Sequence, residues 1–256
     1  MDDGPAALEG LPFVVTEKIP VTSTIVQLDL RPLERPLPYR PGQYVLLADA
    51  EATVPERSFS IANAPREDGR IRLLVTRVEG GRTSSWVHDR LAPGTAVGVS
   101  GPYGTFTQQL PLDRPVLHLA AGSGLAPILA LTEAALARDS DRPITVCFSA
   151  RTSADVYYRD LFADWEARHP NFAFVRTLTR ERGTPPLGRI PAVLPHLVGD
   201  LSGFDVFIAG GEGFVEACER AVIELGARRD RVRTEPFFSE PRPWTSSPPL
   251  SRSGWG

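Results

Sequence analysis

Two kinds of hydrophobic pattern divide the chain. From about Phe13 to Thr107, short apolar runs alternate with polar residues and are separated by Pro and Gly. Thr24–Leu30 alternates with a period of two, Ile71–Val75 less cleanly, and Gln43–Ala48, Arg57–Ala62 and Ala96–Ser100 are also strand-like. That period gives each strand two faces, so this half is expected to be an antiparallel barrel or sandwich. Ser84–Leu91 is the one short helix expected here, stopped by Pro93-Gly94.

After Asp113 the pattern changes. Continuous apolar runs at Val116–Ala121, Ile144–Ser149, Ala173–Leu178 and Phe204–Ala209 alternate with helical stretches at Ala126–Arg138, Ala154–Arg168 and Gly213–Gly226. A last short run covers Arg231–Thr234. Apolar strands between helices predict a parallel sheet covered on both faces. The reading is thus a flexible N-terminus at 1–10, a first domain over 11–109, a second over 113–238, and a Pro/Ser-rich tail from 239 to 256. The join falls near Gln108–Arg114.

Val116–Ala137 carries one charge, Glu133, and is long enough to span a bilayer. His118, Gly122-Ser123-Gly124 and Pro127 interrupt it, so a strand, a glycine turn and a helix explain it better. Met1–Gly10 is acidic and lacks the basic start and apolar stretch of a signal peptide. No membrane insertion is expected.

Composition narrows the function classes. With 256 residues and 42% apolar residues the chain can build two cores. A formal charge of −3 argues against a nucleic-acid binder, which needs a net basic face. Of the 28 basic residues only Lys18 is lysine. Beside 25 prolines, that excess of arginine reads as compositional bias, and each arginine needs its own argument. Cys147 and Cys218 show no CxxC spacing and cannot by themselves hold an iron–sulfur cluster or a structural zinc. Two thiols do not make an extracellular disulfide framework either, and a reducing cytoplasm is the simpler compartment.

Three motifs carry chemistry. Ala121-Gly122-Ser123-Gly124-Leu125-Ala126-Pro127 follows a buried strand and opens a helix. Its glycines permit close approach of a pyrophosphate to a helix N-terminus, although a tight turn alone would also explain them, and Pro127 stands where a third glycine is usual. Arg57-Ser58-Phe59-Ser60 offers a phosphate clamp, a stacking ring and a hydroxyl on one strand, or simply an exposed strand. Gly80-Gly81-Arg82-Thr83-Ser84 either presents backbone amides to an anion or only places Ser84 as a helix cap.

Together with Arg40-Pro41-Gly42-Gln43-Tyr44 and Gly101-Pro102-Tyr103-Gly104, these motifs occur in an order that closely resembles the ferredoxin–NAD(P)H reductase family. More narrowly, the chain resembles the FAD/NAD(P)H reductase components of bacterial oxygenases, from about Phe13 to Phe238. The resemblance implies a six-stranded antiparallel FAD-binding barrel followed by a five-stranded parallel NAD(P)-binding sheet. It implies that Arg57 pairs with the FAD pyrophosphate beside Ser58, that Phe59 stacks where relatives have a tyrosine, and that Ser60 hydrogen-bonds flavin N5 as the catalytic residue. Gly81, Arg82 and Ser84 match the segment closing over that pyrophosphate, and Gly122, Gly124 and Pro127 the pyridine-nucleotide loop.

One departure stands out. Where the family has Cys-Gly-Pro-Pro, this chain has Ala209-Gly210-Gly211-Glu212. Gly210 keeps the nucleotide-side glycine, Ala209 supplies no thiol, Glu212 reads as a solvated turn residue, and Cys218 falls in the following helix. Arg151 and Arg180 follow the second and third strands of this half, where relatives meet the adenosine ribose, and arginine there favours NADPH over NADH.

The resemblance therefore implies an oxidoreductase using FAD and NAD(P)H, with a monomer as the default and the cytoplasm as the compartment the two thiols suggest. It implies that electrons go to a separate acceptor, a [2Fe–2S] ferredoxin or an oxygenase component. The alternatives are a flavin-bearing subunit of a larger complex or a degenerate nucleotide-binding regulator.

Overall fold

The computed structural model of the chain describes residues 5–49, 51, 53–108, 113–138, 141–181 and 188–238. The expected tail at 239–256 and most of the expected join lie outside the described residues.

The first half is a six-stranded antiparallel sheet. Its strands are β1 (Leu8–Pro20), β2 (Ile25–Pro32), β3 (Tyr44–Asp49), β4 (Arg57–Ser60), β5 (Ile71–Thr76) and β6 (Ala96–Tyr103), in the order β4-β3-β6-β1-β2-β5. A bridge between Ile61 and Leu73 brings the β4 edge to the β5 edge and closes the sheet into a barrel. Inward residues such as Phe13, Leu28, Leu30 and Leu47 are fully buried, each contributing about 1.5–3 kcal/mol by leaving water.

Helix α1 (Arg82–Asp89) joins β5 to β6 and starts two residues before the expected Ser84. Its N-cap is Gly81, so Ser84 is not the cap. The Ser84 hydroxyl instead accepts from the Val78 N–H at 3.1 Å and lies 3.2 Å from the Gly81 carbonyl oxygen, ordering the turn before the helix. The lone lysine closes the other end: Lys18 Nζ donates to the carbonyls of His88 and Leu91 at 2.6 and 3.0 Å.

Strand β1 corrects the reading of 1–10 as a flexible end over Leu8–Gly10, residues 1–4 lying outside the described residues. It begins at Leu8, and the Gly10 N–H donates to Ser100 Oγ at 2.9 Å. Leu11, Phe13 and Val15 point inward, but apolar residues on both faces and a bulge between Val15 and Glu17 hide the alternation.

The second half is a parallel sheet of β7 (Val116–Ala121), β8 (Ile144–Ala150), β9 (Phe172–Leu178), β10 (Asp205–Gly211) and β11 (Val232–Phe237), in the order β11-β10-β7-β8-β9. Helices α2 (Leu125–Leu136) and α3 (Arg159–Arg168) cover one face, packing Leu129, Phe162 and Trp165 with Val116, Ala120 and Phe148. Helices α4 (Ile190–Leu197) and α5 (Glu212–Glu224) cover the other, packing Leu194, Val215 and Cys218 with Leu117, Cys147 and Ile208.

Two helical expectations change. The stretch from Ala154 becomes a separate 3₁₀ turn, Ser153–Asp155, closed by a capping box with Thr152; α3 starts only at Arg159. Helix α4 was hidden by Pro191 and Pro195, the first of which sits at the helix start where no N–H is lost.

The halves share a core. Ile25, Ala62, Leu74 and Phe106 of the barrel belong to the same buried cluster as α2 and α3. At the seam, Glu133 of α2 accepts the Ala64 N–H at 2.6 Å and lies 3.6 Å from Arg66. Gly42, at φ +94°, brings its Cα so close to the Phe106 carbonyl that a Cβ would stand 1.9 Å from the oxygen.

Candidate functional site

The strand order places β7 at the point where the connections of the parallel sheet reverse direction. The chain runs outward from β7 to β8 and β9, then returns to β10 and β11 on the other side. In open sheets of this type the crevice beyond the carboxyl ends at the reversal is the binding position. Here it is flanked by Gly122–Gly124 after β7 and Gly210–Gly211 at the end of β10.

These two turns are built from backbone. A Cβ on Gly124 would lie 2.2 Å from the Ala209 carbonyl oxygen, and one on Gly210 (φ +155°) would lie 2.8 Å from Phe214 and 3.3 Å from the Ala121 oxygen. The neighbouring Gly122, at φ +55°, faces open space. Its carbonyl accepts from the Tyr157 hydroxyl at 2.7 Å. Pro127 is the third residue of α2, in the turn whose N–H groups have no intrahelical acceptor. The result is a preformed cradle at a helix N-terminus, where a phosphate group is favoured.

The barrel contributes the facing wall. On β4, Arg57 and Ser58 are exposed, Phe59 is half-buried against the barrel core, and Ser60 is buried. Cross-strand pairing of Phe59 with Val45 and of Ser60 with Tyr44 puts Phe59 on the barrel-interior side and Ser60 on the outer side. The Arg57 guanidinium donates to the Glu56 carbonyl at 2.8 Å and has no carboxylate partner among the described residues. The Ser60 hydroxyl makes no hydrogen bond to another described residue.

Side-chain bonds draw the three motifs into one region. Arg82 Nη2 donates to the Thr53 carbonyl at 2.8 Å, and Thr83 Oγ1 to the Pro55 carbonyl at 2.5 Å, fixing the start of α1 beside the segment leading into β4. At the end of β5, Thr76 Oγ1 donates to Ser123 Oγ at 2.8 Å, tying the barrel to the glycine turn. Arg151 and Arg180 sit farther out, at the carboxyl ends of β8 and β9. The Arg180 N–H donates to the Arg151 carbonyl at 2.8 Å, so they are neighbours on the exposed rim, and neither guanidinium has a partner among the described residues.

The motifs did not flag Glu235. It pairs in register with Ala209, on the same face of the sheet, and its field acts on Tyr44 of the barrel. Burial pushes its carboxyl up to about 7, since the charged form loses hydration there. The sequence signal is an acid inside a short terminal strand, Val232–Phe237, which extends past the expected end at Thr234. Tyr44 also stacks obliquely on Tyr103, ring centres 5.7 Å apart. Ala209 is fully buried, Glu212 is exposed in the first turn of α5, and Cys218 lies buried within α5.

Among the described residues no group of three or more His, Cys, Asp or Glu is placed to hold a metal ion. No helix is long and apolar enough to cross a membrane among those residues. The residues present do fit two nucleotide cofactors: an exposed arginine with no described carboxylate partner and a serine hydroxyl on β4 for one, and a glycine cradle with open space before it for the other.

Comparison with known proteins agrees. Residues 11–108 match the oxidoreductase FAD-binding domain and residues 119–220 the oxidoreductase NAD-binding domain. The chain is 34% identical to ferredoxin–NADP reductase B of Sorangium cellulosum over 212 residues, covering 78% of this chain and 85% of that protein. It is 33% identical to the reductase component DmpP of phenol 2-monooxygenase from Pseudomonas sp. CF600, over 88% of this chain and 65% of that protein. Among solved structures it resembles the Amycolatopsis cytochrome P450 reductase GcoB with a TM-score of 0.85 and 29% identity, over 92% of this chain and 71% of that one. The chain spans 60–65% of the length of three of its oxygenase-reductase relatives. With an FAD-binding barrel followed by an NAD-binding sheet, and this degree of likeness over its described length, the chain belongs to the ferredoxin–NAD(P) reductase family of flavoprotein oxidoreductases.

Proposed function

We propose that this protein moves reducing equivalents from NADPH through FAD to a separate protein acceptor, a [2Fe–2S] ferredoxin or an oxygenase component. The observation that carries this reading is the glycine cradle at the reversal of the parallel sheet, tied to the barrel by the Thr76–Ser123 hydrogen bond, in a chain whose barrel strand β4 carries Arg57 and Ser60. Bound FAD supplies the hydride acceptor and a store of electrons for onward transfer.

The protein's own part is binding and orientation. Arg57 grips the FAD pyrophosphate, with the α1 start at Gly81, Arg82 and the Ser84-ordered turn beside it. Ser60 donates its hydroxyl to the flavin ring edge as the catalytic residue, while Ser58 and the half-buried Phe59 bound the same strand. Gly122, Gly124, Pro127 and Gly210 shape the cradle for the nicotinamide nucleotide. Arg151 and Arg180 receive its 2′-phosphate, which makes NADPH the preferred donor. The shared core between the halves joins the two sides of the seam. Ala209, at the position of the family thiol, leaves orientation to the surrounding glycines. A monomer in the cytoplasm, with both buried thiols reduced, completes the reading.

The test is direct. The purified chain, supplied with FAD, should show flavin absorbance that bleaches anaerobically with NADPH, and should then reduce a panel of [2Fe–2S] ferredoxins with cytochrome c as reporter. A chain that takes up no FAD overturns the proposal.

A further inference from the structure

Tyr158 is the one non-glycine residue with positive φ among the described residues, at +58°. A tyrosine in that conformation is strained, and strain of this kind persists only where surrounding contacts hold it. The contacts here run in two directions. Toward the barrel, the Tyr158 hydroxyl donates to Gln27 Oε1 at 2.5 Å. Gln27 is 4% exposed, and its Nε2 donates to Asp29 Oδ1 at 3.2 Å. Asp29 is held in turn by a two-point pair with Arg72, at 2.7 and 2.8 Å. Toward the sheet, the Tyr158 ring meets the Tyr157 ring edge-on, centres 5.1 Å apart, and the Tyr157 hydroxyl donates to the Gly122 carbonyl at 2.7 Å.

The two tyrosines therefore form a strap. It starts on the glycine turn of the nucleotide cradle and ends on β2 and β5 of the barrel. The left-handed backbone at Tyr158 lets successive tyrosines aim at different partners: Tyr157 to the turn within its own half, and Tyr158 across the seam. The Thr76–Ser123 hydrogen bond also ties this turn to the barrel, at the end of β5. A ring inserted only for packing would not need its hydroxyl on a buried glutamine backed by an ion pair.

We propose that Tyr158 is a positioning residue that latches the Gly122–Gly124 turn to the barrel and so sets the separation of the two cofactor sites. This rests on the function proposed above. The step it serves is transfer of a hydride, one proton with two electrons, from the reduced nicotinamide, which is oxidised, to the flavin, which is reduced. Tyr158 acts through Gln27 and Tyr157.

Tyr158→Phe removes the latch hydroxyl and keeps the ring, and Gln27→Met removes its acceptor from the other half. Two measurements decide the proposal. In the chain without cofactors, hydrogen exchange in the segment Gly122–Leu129 should rise about tenfold in either variant, and no further in the double variant. In the FAD-loaded protein, stopped-flow reduction by NADPH should slow about tenfold while the NADP⁺ dissociation constant stays within about twofold. An unchanged exchange rate overturns the latch. Loss of affinity in step with rate, or additive effects in the double variant, shows a merely structural tyrosine and also overturns it. If the unsubstituted protein takes up FAD but NADPH does not reduce it, the functional reading fails. The exchange comparison then still decides whether the latch exists.

Discussion

The nucleotide cradle and the flavin-facing strand lie at the same seam but are built from opposite materials. The cradle is backbone against backbone, with Gly124 and the Ala209 carbonyl closer than any side chain would allow. Strand β4 presents side chains: Arg57, exposed and bonded to the neighbouring Glu56 carbonyl with no described carboxylate partner, and Ser60, whose hydroxyl bonds to no other described residue. Glycine packing ties the first region's shape to stability, whereas the second can be altered with little effect on folding. Binding and folding are therefore coupled on one side of the seam and separable on the other.

The hardest test of that contrast is Gly124→Ala. The added methyl would meet the Ala209 oxygen at 2.2 Å and the Gly210 nitrogen at 2.6 Å, all backbone, with no flexible atom to yield. A loss of about 3 kcal/mol is expected, at the upper end for overpacking, read as a lower urea midpoint. Unchanged stability would mean that the β7–α2 and β10–α5 turns part easily.

Next in size is a pH effect at the junction between the two regions. Glu235 has its carboxyl raised to about 7 against a usual 4.5, because burial penalises the charge. The folded protein thus keeps a proton that the unfolded chain releases, and stability falls as pH rises from about 4.5 to 7. The shift corresponds to about 3 kcal/mol at most. Glu235→Gln should remove that part of the decline in the chain without cofactors. Identical pH profiles for the two proteins would place the Glu235 carboxyl in water.

Arg57→Ala probes the separable side. Loss of a charge-assisted bond to phosphate should weaken FAD binding by about 1.5–3 kcal/mol, roughly 10- to 150-fold. Stability of the cofactor-free chain should change by no more than about 0.5 kcal/mol. Equal losses in both quantities would show that Arg57 belongs to the fold.

The two materials also differ in how well they can be read from sequence. The parallel strands were legible because a strand buried on both faces is a continuous apolar run, as in Val116–Ala121. The glycines of the cradle were legible because a side chain is excluded there, by positive φ at Gly122 and Gly210 and by the close Ala209 backbone at Gly124. Strand β1 was not, since its alternation is broken by a bulge and by apolar residues on both faces. Ser84 was misjudged as a cap because a serine near a helix start predicts capping, while its hydroxyl is claimed by Val78 from the preceding turn. Glu235 and the Tyr157–Tyr158 strap were invisible for a common reason: their partners Tyr44, Gln27 and Gly122 come from other strands and turns, and only the folded seam makes them neighbours.

The smallest expected effect concerns the rim arginines, where the contrast is at its simplest. Arg151 and Arg180 are exposed, adjacent through one backbone hydrogen bond, and unengaged by any described carboxylate. Neither side chain supports the fold, so substitution should leave the urea midpoint within error. If they grip a 2′-phosphate, Arg151→Ala or Arg180→Ala should raise the KM for NADPH about 5- to 30-fold, equivalent to 1–2 kcal/mol, and hardly change that for NADH. The double substitution should add less than the sum, since one phosphate is shared between them. Equal effects on both nucleotides would instead assign the arginines to the part common to them, the pyrophosphate or adenine. NADPH preference would then need another source, and the exposed rim would join the cradle as a general anchor for the dinucleotide.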